Sequence, residues 1–273
     1  MTVTNVDQQS TVLRRSGLKS VIASEAIKIW TLRFPRVLVT LAVVLAAVTA
    51  LLFLLTIDVT QGDSLAALLW ADIASTALLG VDATAVVFII LGAWFVASEY
   101  ATGMMRTTLV ATPNRVKVFS AKLLVLAGAA VLAGLVSVLL AILVAQLVLA
   151  VSGLPVLNLM DGELLRMALG SLLIVPFYSV LVAALAFIVR TTGGAVTATL
   201  AVMFAPAVVS MLPNAAQQFL LPMFPNAAIL SISGSTDPGQ AVHLVPLLAV
   251  VVLACWLVVV LGAALTLFSR RDA

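Results

Sequence analysis

The sequence predicts an all-α polytopic membrane protein, with six transmembrane helices, an N-terminal amphipathic helix and a re-entrant loop before the last helix. Three observations carry this. The chain is 63% hydrophobic and only 9% charged, with a mean hydropathy of +1.26, a surface that a soluble domain could not hydrate. Apolar runs of membrane-crossing length recur six times along it. The basic residues gather at alternate interruptions between those runs, as span-end anchors do. An isoelectric point of 9.4 would suit a nucleic-acid binder, but these cations are too thinly spread for one, so no nucleic-acid partner is expected.

Residues 1–16 are polar and aperiodic and read as a disordered tail; 17–273 read as one membrane domain. Between 17 and 34, Leu18, Val21, Ile22, Ile29 and Leu32 share one helical face, interrupted by Glu25 and edged by Arg33. This fits an interfacial helix with an elbow at Pro35, or else a long basic lead-in to the first span. The six spans fall at 37–57, 78–97, 123–151, 167–189, 193–212 and 244–268. The first corresponds to about 31 Å of helix, a match to a hydrocarbon core of roughly 30 Å. It is too long for a signal-peptide core and lacks a small-x-small site, so no cleavable signal is expected.

With six spans, every basic residue except Arg166 falls on one face. Arg14, Arg15, Lys19, Lys28, Arg33 and Arg36 precede span 1. Arg106, Arg115, Lys117 and Lys122 lie between spans 2 and 3, Arg190 follows span 4, and Arg270 and Arg271 follow span 6. Asp58, Asp63, Asp72, Asp161, Glu163 and Asp237 fall on the other face. Both termini are therefore expected in the cytoplasm.

Asp82 and Glu99 read as charges at the outer and inner ends of span 2, each within reach of headgroups. In span 3, Ala127, Ala130, Gly134, Ser137, Ala141 and Ala145 are spaced to let a neighbouring helix approach closely. Pro176 and Pro206 should kink spans 4 and 5. The segment 213–243 is apolar in its middle but broken by Pro222 and Pro225, which suits an element that dips into the membrane. Cys255, the single cysteine, reads as a small apolar filler of span 6. His243 reads as an interfacial polar residue.

The catalytic inventory is short. The chain has no GxxxxGK[ST] phosphate loop, no HExxH or paired-cysteine metal motif, and no histidine placed to serve a nucleophile. No catalytic or metal-ligating residue is assigned, and an enzyme is not expected. Spans 3, 5 and 6 carry no charge in their cores, which counts against ion-coupled transport.

The loop 98–122 is the most informative stretch. It reads Glu99-Tyr100-x-x-Gly103, then Arg106-Thr-x-Leu109, then Pro113-x-Arg115 and Ala121-Lys122. This resembles the permeases of ABC-2 type transporters, in which a glutamate-tyrosine pair after span 2 leads to a short helix, a proline turn and a basic rise into span 3. The layout of the whole chain is similar too, so the resemblance implies a type V exporter-like fold. Met104 and Met105 depart from the pattern, where a threonine and an aliphatic residue are more usual.

By that resemblance, 99–109 would be a coupling helix docking on a separate ATPase. Ser98 would cap its N-terminus; Met104, Met105 and Leu109 would give apolar contacts, Gly103 close approach, and Arg106 an ionic contact. Arg190 and Gly193 would form a second, shorter contact. The chain would then be half of a bacterial plasma-membrane exporter of amphiphiles, lipids or antibiotics. Its expected partners are two ATPase subunits, which would hold ATP and Mg2+, and a second permease half, identical or paralogous. Phe88, Trp94, Met203, Phe204 and Met211 are candidates for the substrate path. The competing reading is an ATP-independent carrier, channel or scaffold.

Overall fold

The computed structural model describes residues 17–57, 59, 65–236 and 239–270. The tail 1–16 and Asp58, Asp63, Asp237 and Arg271 lie outside the described residues. Six helical segments are long and apolar enough to cross a membrane, and no strand occurs among the described residues. In chain order the helices are α1 (Leu18–Thr31), α2 (Arg33–Leu55), α3 (Trp70–Ala101), α4 (Met104–Ala111), α5 (Arg115–Val151), α6 (Gly162–Leu172), α7 (Ile174–Val189), α8 (Thr192–Val209), α9 (Asn214–Leu220), α10 (Pro225–Ser233) and α11 (Pro246–Arg270). The spans of the sequence reading thus lie within α3, α5 and α6–α7, and overlap α2, α8 and α11.

Leu32, in extended conformation, separates α1 from α2. The elbow falls here rather than at Pro35, which sits inside the first turn of α2. The reason is stereochemical: proline has no N–H to donate four residues back, and its ring crowds that carbonyl. The upstream helix must therefore end by Thr31, while Pro35 is tolerated in the new helix's first turn. Pro176 acts likewise, three residues after the break at Leu173 that divides α6 from α7. Pro206 lies near the end of α8, which stops at Val209.

Most of α3 and of α6–α7 is buried, whereas α2, α8 and α11 are covered on one side only. Ala42, Ala46 and Ala50 on α2 are fully buried against α3. The small-residue stripe of α5 is internal to the chain: Ala130, Ser137, Ala141 and Ala145 are fully buried. Small side chains let these helix axes approach closely enough for dispersion contacts along their length. At the triple contact, the Thr84 hydroxyl donates to the Ala42 carbonyl (3.2 Å) and lies 2.7 Å from Ser137 Oγ. Cys255 lies on the exposed face of α11 and does not fill the core.

The segment 213–243 is largely helical: α9, a 3₁₀ turn at Leu221–Met223, then α10. Pro222 lies in the 3₁₀ turn and Pro225 at the first position of α10, where a missing N–H costs nothing. Here α10 packs on α6 and α11. His243 is half-buried, its Nδ1 3.2 Å from both Thr236 Oγ1 and the Thr236 carbonyl.

Candidate functional site

The 98–122 segment becomes two turns of chain around one short helix. Ser98 does not cap a new helix: α3 continues through it, and its carbonyl accepts from both the N–H and the hydroxyl of Thr102. The cause is local sequence, since no breaker precedes Thr102-Gly103. Gly103 then takes a left-handed conformation (φ +71°) and leads into α4, a backbone state that favours glycine. Pro113 keeps α4 from continuing past Ala111, and the Asn114 side chain caps α5 by accepting from the Lys117 N–H at 3.1 Å.

Helix α4 has two unlike faces. Met105 is fully buried in the core and Leu109 half-buried beside it, an i, i+4 pair that seats the helix. Met104 (49% exposed) and Val110 (83% exposed) point away from the bundle with Arg106. An outward methionine and valine on an otherwise polar turn are an apolar surface with no cover from this chain's described residues.

The helices that flank α4, α3 and α5, carry two members of a buried ionic quartet. Lys122 Nζ, with its side chain fully buried, meets Glu25 Oε2 at 2.8 Å and Glu99 Oε1 at 2.6 Å. Lys28 Nζ meets Glu25 Oε1 and the same Glu99 Oε1, both at 2.7 Å. Two carboxylates and two ammonium groups thus close a ring joining α1, α3 and α5, with no net charge. Phe95 places its ring 4.7 Å from Lys122 Nζ, a further contact for the cation. Glu99 Oε2 is buried without a partner among the described residues. Burial opposes the charge on Lys28, but its hydrogen bonds to Glu25 and Glu99, and their negative charges, outweigh this and hold its pKa above the ordinary lysine value.

The quartet corrects one sequence expectation. Glu99 does not extend to the headgroups, because α1 and the start of α5 cover it and supply its counter-charges. Lys122, in the basic rise into span 3, is fully buried. Glu25, which marred the apolar stripe of α1, is 1% exposed and is the reason that α1 docks where it does. A glutamate on the buried face of an amphipathic helix was the signal available for this site.

Below the quartet, four aromatic rings tie the same end together. Phe187 lies 4.9 Å from both Phe119 and Phe268, and Tyr100 meets Phe187 edge-on at 6.3 Å. Arg190, at a left-handed helix end, lies 5.1 Å over the Tyr100 ring, and Gly193 is exposed beside it. Arg115 donates to the Phe268 carbonyl at 2.7 Å, fixing the last turn of α11. One end of the bundle therefore holds Glu99, Tyr100, Met105, Arg115 and Arg190 in a single connected structure.

The substrate-path candidates separate. Phe88 is fully buried in the core, Trp94 packs on Phe34 at 4.7 Å, and Met211 is 85% exposed beyond the end of α8. Met203 and Phe204 share a cleft with α2 and α3. Among the described residues no cluster of histidine, cysteine or carboxylate side chains could hold a metal.

The fold and this site define a class: a six-span, all-α membrane protein with an ion-paired helix clamp and a short, outward-facing helix at one end. Compared with known proteins, the chain matches no family profile and no curated sequence.

Proposed function

We propose that this chain is the membrane-spanning subunit of an ABC exporter of the ABC-2 type, half of a translocation path driven by a separate ATPase. The observation that carries the reading is α4. It is short, anchored from behind by Met105 and Leu109, and offers Met104, Arg106 and Val110 outward at the basic end of the bundle. A rigid helix with a small apolar face suits docking in a partner's groove. The basic end would then face the cytoplasm of a bacterial plasma membrane, with both termini on that side. ATP binding and hydrolysis belong to the partner, and a second permease half completes the path. The exposed sides of α8 and α11 leave surface for that second half.

The quartet dictates the choice of test. Glu99→Ala would unbalance buried charges of the chain itself, so it cannot separate docking from folding. Met104→Asp and Val110→Asp change exposed positions only, where stability effects stay within about 0.5 kcal/mol. Mild purification from the native host should recover a P-loop ATPase with the wild-type chain, and lose it with either variant at unchanged membrane insertion. Absence of any ATPase under several mild conditions, with no ATP-dependent transport in the membranes, would overturn the proposal. The ATP-independent carrier, channel or scaffold would then lead.

A further inference from the structure

Asp82, read as a charge at the outer end of span 2, lies within helix α3. Helix α3 begins at Trp70 and ends at Ala101, so Asp82 lies about 18 Å from one end and about 28 Å from the other. A carboxylate within an apolar span is costly, and such side chains in membrane proteins are found facing cavities, ligands or ion paths. Asp82 faces a cleft of about 360 Å³ between α2, α3, α8 and the start of α10.

The lining has a distinct chemistry. Thr49, Asp82 and Asn226 supply a hydroxyl, a carboxylate and an amide; Phe53, Met203 and Phe204 supply apolar and aromatic surface. All three polar side chains are half-buried. Among the described residues none of them makes a hydrogen bond or ion pair, in a protein whose other deep carboxylates, Glu25 and Glu99, are bound to lysines. Phe53 and Phe204 are exposed, so the cleft opens at the side of the bundle. Its volume suits one compact organic ion, not a whole lipid.

We propose that this cleft binds a lipophilic organic cation, with Asp82 as its counter-charge, Thr49 and Asn226 as hydrogen-bonding partners, and Met203, Phe53 and Phe204 around its apolar body. The charge selects: in a low-dielectric cleft an anion of the same shape is repelled by the carboxylate, while a cation gains its attraction and contact with aromatic faces. The binding site stands without the ATPase; that its ligand is the exported substrate rests on the permease reading above.

The test uses the full-length chain in nanodiscs of phosphatidylcholine, with tetraphenylphosphonium as the probe and tetraphenylborate, its anionic counterpart in shape, as the control. After subtraction of empty discs, the cation should bind saturably and the anion should not. Asp82→Asn should weaken cation binding about tenfold or more, and Asp82→Glu should retain most of it. Should Asp82→Asn fail to fold, Phe204→Ala with Asn226→Ala removes the opposite wall and should lower affinity at unchanged charge. Equal uptake of both ions, or cation binding unaltered by these variants, would overturn the proposal. Cation binding without recoverable ATPase would keep the site and sink the permease reading. An ATPase recovered with a cleft indifferent to charge would do the reverse.

Discussion

The two ends of the bundle are closed by different chemistry. At the Lys122 end, long charged side chains reach between helices, and four ions hold α1 against α3 and α5. At the other end, neutral backbone is satisfied piece by piece. Gln146 both donates to and accepts from the backbone of Leu157, at 2.7 and 3.0 Å. Arg166 donates to the carbonyls of Ser231 and Ile232, the last turn of α10, at 3.1 and 3.0 Å. Gly170 lets α6 touch the backbone of Ser233, where a Cβ would meet Ser233 Cα and Cβ. The contrast teaches where each end is vulnerable. The ionic end depends on a few groups whose partners cannot be left behind; the neutral end spreads its stability over many small contacts.

Removing the fully buried cation of the quartet, Lys122, should have the largest effect. Lys122→Met leaves two carboxylates buried against a single, half-exposed cation, and breaking a buried ion pair in this way costs about 3–5 kcal/mol. Thermal unfolding in detergent should show a large fall in Tm, and an unchanged Tm would mean that water reaches the quartet freely. At the neutral end Gly170→Val should cost about 1–3 kcal/mol, because its side chain would meet the Ser233 backbone and α10 would have to shift to relieve the overlap. Protease cleavage within 213–243 should accelerate in that variant while α1 stays protected. If α1 loosened equally, the two ends would be coupled and the contrast would fail.

The smallest effect belongs to Lys28, whose side chain is 28% exposed. Lys28→Gln should cost about 1 kcal/mol or less, since water screens the pair. Its folded-state pKa lies above the ordinary 10.5. Its contribution is therefore complete below 10.5 and declines as pH rises through the raised value. A stability profile taken upward from pH 10 should steepen in the wild type and flatten in Lys28→Gln; identical profiles would remove Lys28 from the clamp.

Much of the architecture was legible because hydropathy and length decide it. Apolar runs near 20 residues have one low-energy arrangement in lipid, a helix with every backbone group paired internally. Helix ends were less legible. Hydropathy marks where lipid begins, whereas helices such as α3 and α5 run on until a breaker such as Thr102-Gly103 or Pro113 stops them. The loop 98–122 stood out by composition, but which residues face inward did not. Pairing Glu25 with Lys122 depends on contacts across 97 positions, for which no periodicity carries a signal.

The separation between Glu25 and Lys122 also orders the protein's assembly in time. Glu25 emerges from the ribosome 97 residues ahead of the ammonium group that accompanies it into the interior. At synthesis rates of 5–20 residues per second that is an interval of about 5–20 s. Throughout it the carboxylate must remain hydrated, holding α1 at the membrane surface while α2 and α3 enter the bilayer. Closure of the ring then waits for the start of α5, so a nascent chain stalled before Lys122 lacks the buried cation that joins α1 to α5.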